Sequence, residues 1–590
     1  MKKYFEKGLY ISIFVAILAV GIFLRGYNFS DWLHFEIDQA RDARIISQAV
    51  DEGLGNLPLL GPRAAGTFLR LGPMFYYMEY TSAKIFGGTP PAMAYSILFF
   101  SVLTLPLFYF FSRRYFSRNL SLGLMLLLAV SLFMIMYSRF GWNPNTIPFF
   151  ALLAFYSLLR VVDREENNRK LWVYIFALAI AIVTQLHFLA FIAIPAISVV
   201  FLLIKRPNIK FKTWGIALLI IIAFYIPPII NDIKTGGDNM SEFIEAITGK
   251  PSDEDHTLAE KGIRNLTNHA NNYFIILTGN EKTELPKVSQ IGSLKFDIKC
   301  DQDCRNNLIL GAIAIIVFIS GFFLLIRNLI KEKNVLRKDF LVLTFLWIII
   351  PLGLYTPIAF DLSPRFYLVT APIAFIFLGF IIRFMTGKIY SKKGKLTLLV
   401  GMIAIFAASN LYFAKNRFDE LEKAPTENVK ISTDRILKER GRVTLEQQLM
   451  IVDYIKKFYK KNKYPIYHHS DAQYRRSFVY HLEQLGIDND GLKTGTIYKS
   501  GNHFLILRAS SDQEDRTRKF KEKYDILEIK KFGTMVVYHF GPKPEFVTHI
   551  EQDFSAEERA SSTAPRRYKW NEIFEKGKTA SNEDEKDNDE

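Results

Sequence analysis

The chain has 590 residues, of which half are hydrophobic and 14% are aromatic, and its formal net charge is +16. A nucleic-acid-binding protein would gather its basic residues in one patch, whereas 24 Lys and Arg residues lie here in alternate breaks between apolar runs. This distribution excludes nucleic acid as a partner and indicates a protein that crosses a membrane several times. The basic segments are residues 1–7, 113–118, 160–170, 205–212, 327–338 and 383–395.

Eleven apolar segments are long enough to cross a bilayer, whose hydrocarbon core takes about 20 helical residues. Between residues 171 and 204 only Gln185, Leu186 and His187 interrupt the apolar sequence, so this part is either one long helix or a hairpin. A hairpin keeps the alternation between basic loops on one side of the membrane and loops poor in Lys and Arg on the other. The predicted spans lie near residues 8–26, 91–111, 120–137, 146–162, 171–186, 188–204, 214–231, 307–326, 339–355, 366–383 and 396–414.

The side that holds the basic segments is predicted to be cytoplasmic by the positive-inside rule. On the other side, the short loops 137–145, 185–188 and 355–365 contain only Arg139 and Arg365 as cations. The first span lacks a small-residue cleavage site and is expected to be retained. We therefore expect a multi-pass protein of the cytoplasmic (inner) membrane with a cytoplasmic N-terminus. An odd number of spans places the C-terminal part outside.

The sequence predicts three parts, which are a transmembrane domain at 1–414, an extracytoplasmic α/β domain at 415–553 and a disordered charged tail at 554–590. The transmembrane domain has two long outer loops, at 27–90 and 232–306. In the second part Thr444-Leu445-Glu446-Gln447 is a capping box that begins a helix to about Lys461. The remaining predicted elements are strands at 464–468 and 503–509, helices at 471–486 and 512–524, and two strands within 525–540.

The first outer loop, residues 27–90 and called L1 below, contains two predicted interfacial helices. Asp38, Arg41 and Asp42 share one face at i, i+3 and i+4 spacing, and alanines with Ile46 form an apolar face that we expect to lie on lipid. The second helix runs from Pro73 to Phe86, with Lys84 near the hydrophobic boundary. The alternatives are a functional loop and a loop that only rests on lipid headgroups.

Two short outer loops concentrate polar residues at helix ends. The first, L2, is Tyr137-Ser138-Arg139-Phe140-Gly141-Trp142-Asn143-Pro144-Asn145, and it is either functional or an ordinary turn with an interfacial Trp. The other, L3, spans residues 355–365. Its Arg365 is a cation on the side that otherwise avoids cations, which either an anionic partner or an ion pair with Asp361 would explain.

Two further polar positions keep alternative interpretations open. His187 lies at the outer edge of the membrane, where an ionisable residue is a functional candidate, but a hydrogen-bonded structural role is equally consistent with the sequence. Cys300 and Cys304, which are the two cysteines of the chain, either form a disulfide or remain free thiols. They have no neighbouring His that would favour a metal site.

These features resemble the GT-C glycosyltransferases, and within them glycosyltransferase family 39 and its bacterial relatives, which include protein O-mannosyltransferases and the lipid A aminoarabinose transferase. The resemblance covers roughly residues 5–415. It implies a polytopic α-helical membrane protein of about eleven transmembrane helices. The segments that carry it are Asp38-Gln39-Ala40-Arg41, Gly72-Pro73-Met74-Phe75-Tyr76-Tyr77, Lys84-Ile85-Phe86-Gly87, L2, and Pro364-Arg365-Phe366-Tyr367.

The resemblance implies an enzyme that transfers a hexosyl or pentosyl group, with inversion, from a polyprenyl-phosphate carrier to a hydroxyl of a protein, lipid or glycan at the outer face. The catalytic carboxylate of the family falls on Asp38, next to which Gln39 replaces a second acid. The cation that holds the donor phosphate falls on Lys84, with Arg41 and Arg365 as helpers. The chemistry is reasonable, because a hydroxyl nucleophile needs a base and a phosphate leaving group needs cations.

The other candidate residues complete this predicted site. Glu36 and Asp42 are alternative bases, and further substrate-binding residues are Arg139, Asn143, His187 and Tyr367. Some relatives carry an acid in the second outer loop, where this chain has Asn143. No metal ligands and no certain cofactor are predicted, and a divalent metal stays an open alternative. The rival function is a transporter or flippase for a lipid-linked or small anionic substrate, but no inverted repeat of broken helices is evident.

Overall fold

The computed structural model describes residues 2–64, 67–248, 256–290, 296–493, 495–509, 513–548, 552, 554 and 566–574. All eleven predicted spans are helical, the third as two helices, which confirms the predicted fold class. Among the described residues, seven helices are long and apolar enough to cross a membrane, and two shorter apolar helices accompany them.

The helices of the first half are α1 (Lys2–Gly26), α2 (Ile37–Glu52), α3 (Met74–Phe86), α4 (Pro90–Ser112), α5 (Arg118–Val130), α6 (Leu132–Met136), α7 (Ile147–Val162), α8 (Arg169–Val183), α9 (Phe188–Lys205), α10 (Phe211–Thr235), α11 (Asp238–Thr248) and α12 (Leu258–Thr278). They are followed by β1 (Lys287–Gln290), β2 (Phe296–Lys299), α13 (Gln302–Asn306), α14 (Leu308–Lys331), α15 (Val335–Tyr355), α16 (Ala371–Gly387) and α17 (Lys392–Lys423).

Two alternatives left open by the sequence are resolved by this part of the structure. Residues 171–204 form a hairpin, because α8 ends at Val183 and α9 begins at Phe188. Cys300 and Cys304 are joined in a disulfide. The long segment after α10 therefore contains helices, a two-stranded hairpin and a covalent link.

The third predicted span is not one helix, because α5 and α6 are separated at Ser131. The freed backbone groups find side-chain partners. The Leu132 N–H donates to Asn410 Oδ1 at 2.9 Å, and the buried Arg25 guanidinium donates to the Ala129 carbonyl at 2.7 Å. A backbone break inside an apolar bundle is stable only when such groups are paired, so Arg25 and Asn410 hold α6 at its angle.

The C-terminal part contains α18 (Leu445–Asn462), β3 (Ile466–Ser470), α19 (Ala472–Glu483), β4 (Asn489–Gly491), β5 (Ile497–Tyr498), β6 (Asn502–Arg508), α20 (Gln513–Lys521), β7 (Tyr524–Phe532), β8 (Met535–Pro542), β9 (Val547–Thr548) and α21 (Trp570–Phe574). The predicted capping box at Thr444 is present and begins α18. The main sheet has the order β4-β3-β6-β8-β7, in which β4, β3 and β6 are parallel and β8 is antiparallel to both of its neighbours.

The apolar face of α2 does not lie on lipid as the sequence suggested. Ala43, Ile46 and Ala49 are fully buried in the core that the bundle shares with this loop. The Ser47 hydroxyl lies 3.1 Å from the Tyr480 hydroxyl of α19, so the same helix is also covered by the C-terminal domain. Amphipathic spacing identifies a face that must be covered, but it does not distinguish lipid from protein as the covering medium.

The disorder predicted from residue 554 onward is wrong for residues 566–574, which return to L1. The Leu59 N–H donates to the Tyr568 carbonyl at 2.8 Å, and the Trp570 indole N–H donates to the Tyr77 hydroxyl at 2.9 Å. Asn231, at the end of α10, accepts from the Tyr568 N–H at 2.8 Å. Backbone pairing and one Trp anchor this segment despite its charged composition. The rest of the predicted tail lies outside the described residues, apart from residue 554.

We expect a chain that ends at residue 565 to be less stable than one that ends at residue 574. The shorter chain loses the backbone pairing with L1 and the Trp570 contact, and each buried hydrogen bond is worth about 1 kcal/mol. Thermal unfolding in detergent measures the difference, and we expect the melting temperature to fall by a few degrees. Equal melting temperatures for the two chains would contradict this role of residues 566–574.

Candidate active site

A cleft of about 210 Å³ lies at one end of the helical bundle, where four segments distant in sequence meet. L1, L2 and L3 form its walls together with the linker, residues 424–444, which joins α17 to α18. The lining residues are His34, Glu36, Ile37, Asp38, Gln39, Tyr137, Phe140, Trp142, Ser363, Arg365, Ile436, Leu437 and Lys438.

Asp38 lies in the first turn of α2 and lines this cleft. The helix begins with a reciprocal capping box between Glu36 and Gln39, which fixes the direction in which the first turn points. The side chain of Asp38 is 38% exposed, and its Oδ1 accepts from Arg41 Nη1 at 3.1 Å. No other hydrogen bond to this carboxylate occurs within the described part of the chain, so its second oxygen is available to a ligand.

Arg41 joins Asp38 to a buried carboxylate behind it. Its Nε donates to Asp42 Oδ1 at 2.9 Å, and the Tyr76 hydroxyl donates to the same oxygen at 3.0 Å. The side chain of Asp42 is only 1% exposed, and burial raises the pKa of its carboxyl despite the opposing effect of Arg41. Arg41 therefore orients Asp38, as a helper would. The geometry does not support Asp42 as an alternative base, because it does not face the cleft.

Glu36 is held between L1 and the C-terminal domain. It accepts from the Tyr474 hydroxyl at 3.1 Å and lies 3.6 Å from His34 Nε2. The other ring nitrogen of His34 lies 2.8 Å from Glu439 Oε1 in the linker. Burial raises the pKa of Glu36, and the His34 cation opposes that rise. Glu36 thus bridges L1 and the C-terminal domain. Its contacts with His34 and Tyr474 occupy the carboxylate oxygens that a general base would need for the acceptor proton.

His34 carries the proton that this bridge needs. Burial alone would lower the pKa of His34, but the carboxylates of Glu36 and Glu439 together raise it to about 9. For the Glu439 carboxyl, burial acts in the opposite direction and would raise the pKa, but Arg442 and His34 lower it overall. A protonated imidazole can donate from both nitrogens, so it links the two carboxylates directly.

The backbone between His34 and Glu36 is also hydrogen-bonded to the C-terminal domain. The Phe35 carbonyl accepts from Gln448 Nε2 of α18 at 2.8 Å and from the Ser477 hydroxyl of α19 at 3.1 Å. We call residues 34–36 and their partners in the linker, α18 and α19 the clamp. The clamp fixes the start of α2, and thereby Asp38, relative to the C-terminal domain.

His34, Glu36 and Glu439 also form the one His and carboxylate cluster among the described residues that meets the spacing of a metal site, with ligand atoms within 4.8 Å of one another. In the structure both His34 nitrogens face carboxylates and Glu439 is paired with Arg442, so a metal would have to compete with these contacts. A metal would have to displace a proton that these same carboxylates stabilise. We therefore describe the cluster as a proton-bearing bridge.

Arg365 of L3 lines the cleft. Its guanidinium stacks on Trp142 of L2, 4.9 Å from the ring centroid, and lies close enough to Asp38 for the carboxylate to favour its charged form. Of the two alternatives that the sequence left open for Arg365, an ion pair with Asp361 is not found among the described residues, and the carboxylate that acts on Arg365 is that of Asp38. Arg365 is thus positioned to meet an anion that enters the cleft.

Lys84 lies away from this cleft. Its Nζ donates to the Val50 carbonyl at 2.7 Å, at the C-terminal end of α2. Asp38 is in the first turn of the same helix, 12 residues earlier, which is roughly 18 Å along the axis. Lys84 is flanked by the exposed Ile85 and Phe86. The geometry does not support Lys84 as the cation that holds a donor phosphate beside Asp38.

Arg139 and Asn143 of L2 have structural positions. Arg139 is 1% exposed, and it donates to the Arg25 carbonyl at 3.0 Å and the Asn28 carbonyl at 3.2 Å, at the C-terminal end of α1. A cation there pairs with the negative end of the helix dipole. Asn143 Nδ2 donates to the Leu186 carbonyl at 2.6 Å. Neither side chain faces the cleft, so the predicted substrate contacts are not supported.

His187 and Tyr367 are neighbours of Arg365 that lie outside the cleft. His187 caps α9 by accepting from the Leu189 N–H at 3.2 Å, and burial together with Arg365 lowers the pKa of its ring to about 3. His187 is therefore neutral and structural, the alternative that the sequence left open. Tyr367 is 1% exposed and packs on His269 at 5.0 Å between ring centroids. Neither residue lines the cleft.

The sequence did not identify two groups that shape this region. Lys438 of the linker lines the cleft, and no motif marks it within a charged surface segment. Glu79 of α3 is 3% exposed beside Asp42 and Gly141, and burial followed by the Asp42 charge raises its pKa well above the ordinary value. A Cβ at residue 141 would overlap the Glu79 carboxyl, so the glycine permits this close approach. The sequence did contain one indication of Glu79, since it is an acid among the apolar residues of the predicted interfacial helix from Pro73 to Phe86.

Comparison with known proteins gives one family match and several matches of fold. Residues 70–230 match the family model described as dolichyl-phosphate-mannose-protein mannosyltransferase. No significant match is found among curated proteins. The family match agrees with the resemblance to family 39-type GT-C membrane glycosyltransferases that the sequence suggested.

The similar solved structures include two of ArnT from Cupriavidus metallidurans. The apo structure is 10% identical, with 91% of this chain and 98% of that chain covered and a TM-score of 0.50. The structure bound to undecaprenyl phosphate is also 10% identical, with 90% and 97% covered and a TM-score of 0.52. A weaker similarity, with a TM-score of 0.48 and 10% identity over 92% and 75%, is to the oligosaccharyltransferase AglB from Archaeoglobus fulgidus in complex with an inhibitory peptide and a dolichol-phosphate.

The clamp should weaken as the pH rises. His34 has a pKa of about 9 in the folded protein against an ordinary value of 6.5, so folding takes up a proton between these values. The stabilisation is complete below pH 6.5 and is lost as the pH rises through 9. We expect the melting temperature of the wild type to fall over this range by more than that of His34→Gln. Parallel pH profiles for the two proteins would show that His34 carries no such linkage.

Proposed function

We propose that this protein is an inverting glycosyltransferase that moves a sugar from a polyprenyl-phosphate carrier to a hydroxyl acceptor. The observation that carries the proposal is the cleft that brings the available carboxylate of Asp38 together with Arg365. The family match over residues 70–230 and the fold shared with a protein solved with undecaprenyl phosphate support the donor class. The same comparisons do not favour the transporter alternative.

In the proposed reaction, the acceptor oxygen forms a bond to the anomeric carbon of the sugar on the face opposite to the phosphate. The acceptor proton passes to Asp38 as general base. The bond between the anomeric carbon and the phosphate oxygen breaks, and its electron pair leaves with the polyprenyl phosphate. The leaving group gains negative charge, which a cation held in place nearby stabilises. Arg365, stacked on Trp142, supplies such a cation without losing conformational freedom during the reaction.

The acceptor class is proposed only as a hydroxyl of a protein, lipid or glycan. The C-terminal α/β domain is proposed to position the acceptor, because the clamp joins it to the start of α2. The carboxyl ends of the parallel strands β3 and β6 meet at Asp471, which follows β3 and accepts from the Arg508 N–H at 2.8 Å. Tyr474, in the helix that begins directly after Asp471, contacts Glu36 in the clamp. The carboxyl ends of the strands are where open α/β sheets most often bind ligands.

The protein is proposed to lie in the cytoplasmic membrane with its N-terminus in the cytoplasm and the cleft outside. The asymmetry of Lys and Arg between alternate loops supports this orientation. The disulfide between Cys300 and Cys304 supports it independently, because disulfides persist outside the reducing cytoplasm.

The orientation can be tested with single cysteines at two exposed lysines on opposite sides, Lys392→Cys and Lys461→Cys, in a background that lacks Cys300 and Cys304. An impermeant thiol reagent added to intact cells, with the outer envelope permeabilised, should label residue 461 and spare residue 392. Lysed cells, in which both sites are open, provide the control. Labelling of residue 392 alone in intact cells would reverse the proposed topology.

Asp38→Asn keeps the shape of the side chain but removes the base, so we expect turnover to fall about 100-fold or more. Binding of the polyprenyl-phosphate sugar should change little. Asp51→Asn is the matched control, because Asp51 is an exposed carboxylate at the other end of the same helix. The donor for the assay is obtained by mass spectrometry of lipid that co-purifies with the protein, which also identifies the sugar. Normal turnover in Asp38→Asn would refute the assignment of the base.

A further inference from the structure

The cleft contains a second cation, contributed by the linker to the C-terminal domain. Lys438 lines the same cleft as Asp38 and Arg365, although it lies 400 residues after the former in sequence. Arg365 is close enough to act electrostatically on Lys438, since burial and then the Arg365 charge lower the pKa of the Lys438 ammonium. Two like charges thus share one small volume, which is unfavourable unless an anion joins them.

The carboxylates around the cleft do not provide that anion. Asp38 is paired with Arg41, and Glu36 is occupied by His34 and Tyr474. Within the part of the chain that the structure describes, neither Arg365 nor Lys438 forms an ion pair with any carboxylate. Lys438 also makes no hydrogen bond to another described residue. The cleft therefore has an excess of positive charge beside the proposed base.

The backbone at Lys438 is held in an unusual conformation. Its φ is +60°, in the left-handed region that a side chain with a Cβ seldom adopts. The neighbouring linker is held firmly, because the Ile436 carbonyl accepts from the Tyr137 hydroxyl at 2.6 Å and Glu439 is fixed in the clamp. A non-glycine residue stays in this region only where its surroundings hold the backbone, so the Lys438 side chain starts from a fixed point at the cleft.

We propose that Lys438 and Arg365 together bind the phosphate of the lipid-linked donor, so that the linker completes the donor site beside Asp38. This inference rests on the proposed function and replaces Lys84 as the cation that contacts the phosphate. An ammonium and a guanidinium on either side of one phosphate provide charge-assisted hydrogen bonds to separate oxygens. In the reaction, the same two cations face the oxygen that gains charge as the sugar leaves. Lys438 is thus a donor-binding residue supplied by the linker.

The experiment compares binding of undecaprenyl phosphate with binding of undecaprenol, which has the same chain without the phosphate, to the full-length protein in detergent. The variants are Lys438→Asn and Lys438→Arg. Asn tolerates the left-handed backbone, so the substitution removes the charge without adding strain. Lys463→Asn is the matched control, because Lys463 also has a φ of +60° but ends α18 outside the cleft.

We expect wild type and Lys463→Asn to prefer the phosphate lipid, and Lys438→Asn to lose about tenfold to a hundredfold of that preference, the usual weight of a charged hydrogen bond. Lys438→Arg should retain most of it. An unchanged preference in Lys438→Asn, with the preference present in wild type, would overturn the role of Lys438 and leave the proposed function intact. A wild type that does not distinguish the two lipids would instead contradict the donor class itself. Melting temperatures of all variants separate loss of binding from loss of folding.

Discussion

The clamp between L1 and the C-terminal domain is the constraint on which the cleft depends. The linker would otherwise be a charged surface segment, yet buried ion pairs fold it against both domains. Arg417 of α17 pairs with Glu281 at 2.7 Å, and Glu281 accepts from the Ile436 N–H at 3.0 Å. Arg442 contacts both Asp434 and Glu439. Breaking one partner of such a buried network leaves an uncompensated charge, so the linker has one favourable arrangement.

This arrangement explains why distant residues can share a small cleft with defined geometry. Asp38 is fixed by the capping box of α2 and by the grip on the Phe35 carbonyl, whereas Lys438 is fixed by the linker network. L2 is held in place by Arg139, whose guanidinium donates to the Arg25 carbonyl at the C-terminal end of α1. Catalytic groups need positioning to a fraction of an ångström, and here each wall of the cleft is attached to a packed element.

The sequence predicted the parts of the molecule that follow from local chemistry. Apolar length located all eleven spans, the Thr444 capping box located the start of α18, and the i, i+3 spacing paired Asp38 with Arg41. It failed where long-range packing decides. Asp42 and Asp38 have the same local signal, but only tertiary structure buries one and exposes the other. Lys84 and Arg365 both appeared from the sequence as cations near the membrane boundary. In the structure Lys84 lies at the far end of α2 from Asp38, whereas Arg365 lies in the same cleft as Asp38. The docking of residues 566–574 depends on L1, 500 residues away, which composition does not reveal.

The distribution of satisfied charges also determines what the cleft can accept. Every carboxylate that lines it has a cationic or hydroxyl partner, whereas Arg365 and Lys438 form no ion pair with a described carboxylate. A neutral ligand would leave two cations close together, and a cationic ligand would add to the repulsion, so an anion is selected by electrostatics before any shape is considered. A phosphate diester meets this requirement, since its negative charge can lie between the two cations while the sugar attached to it extends toward the carboxylate.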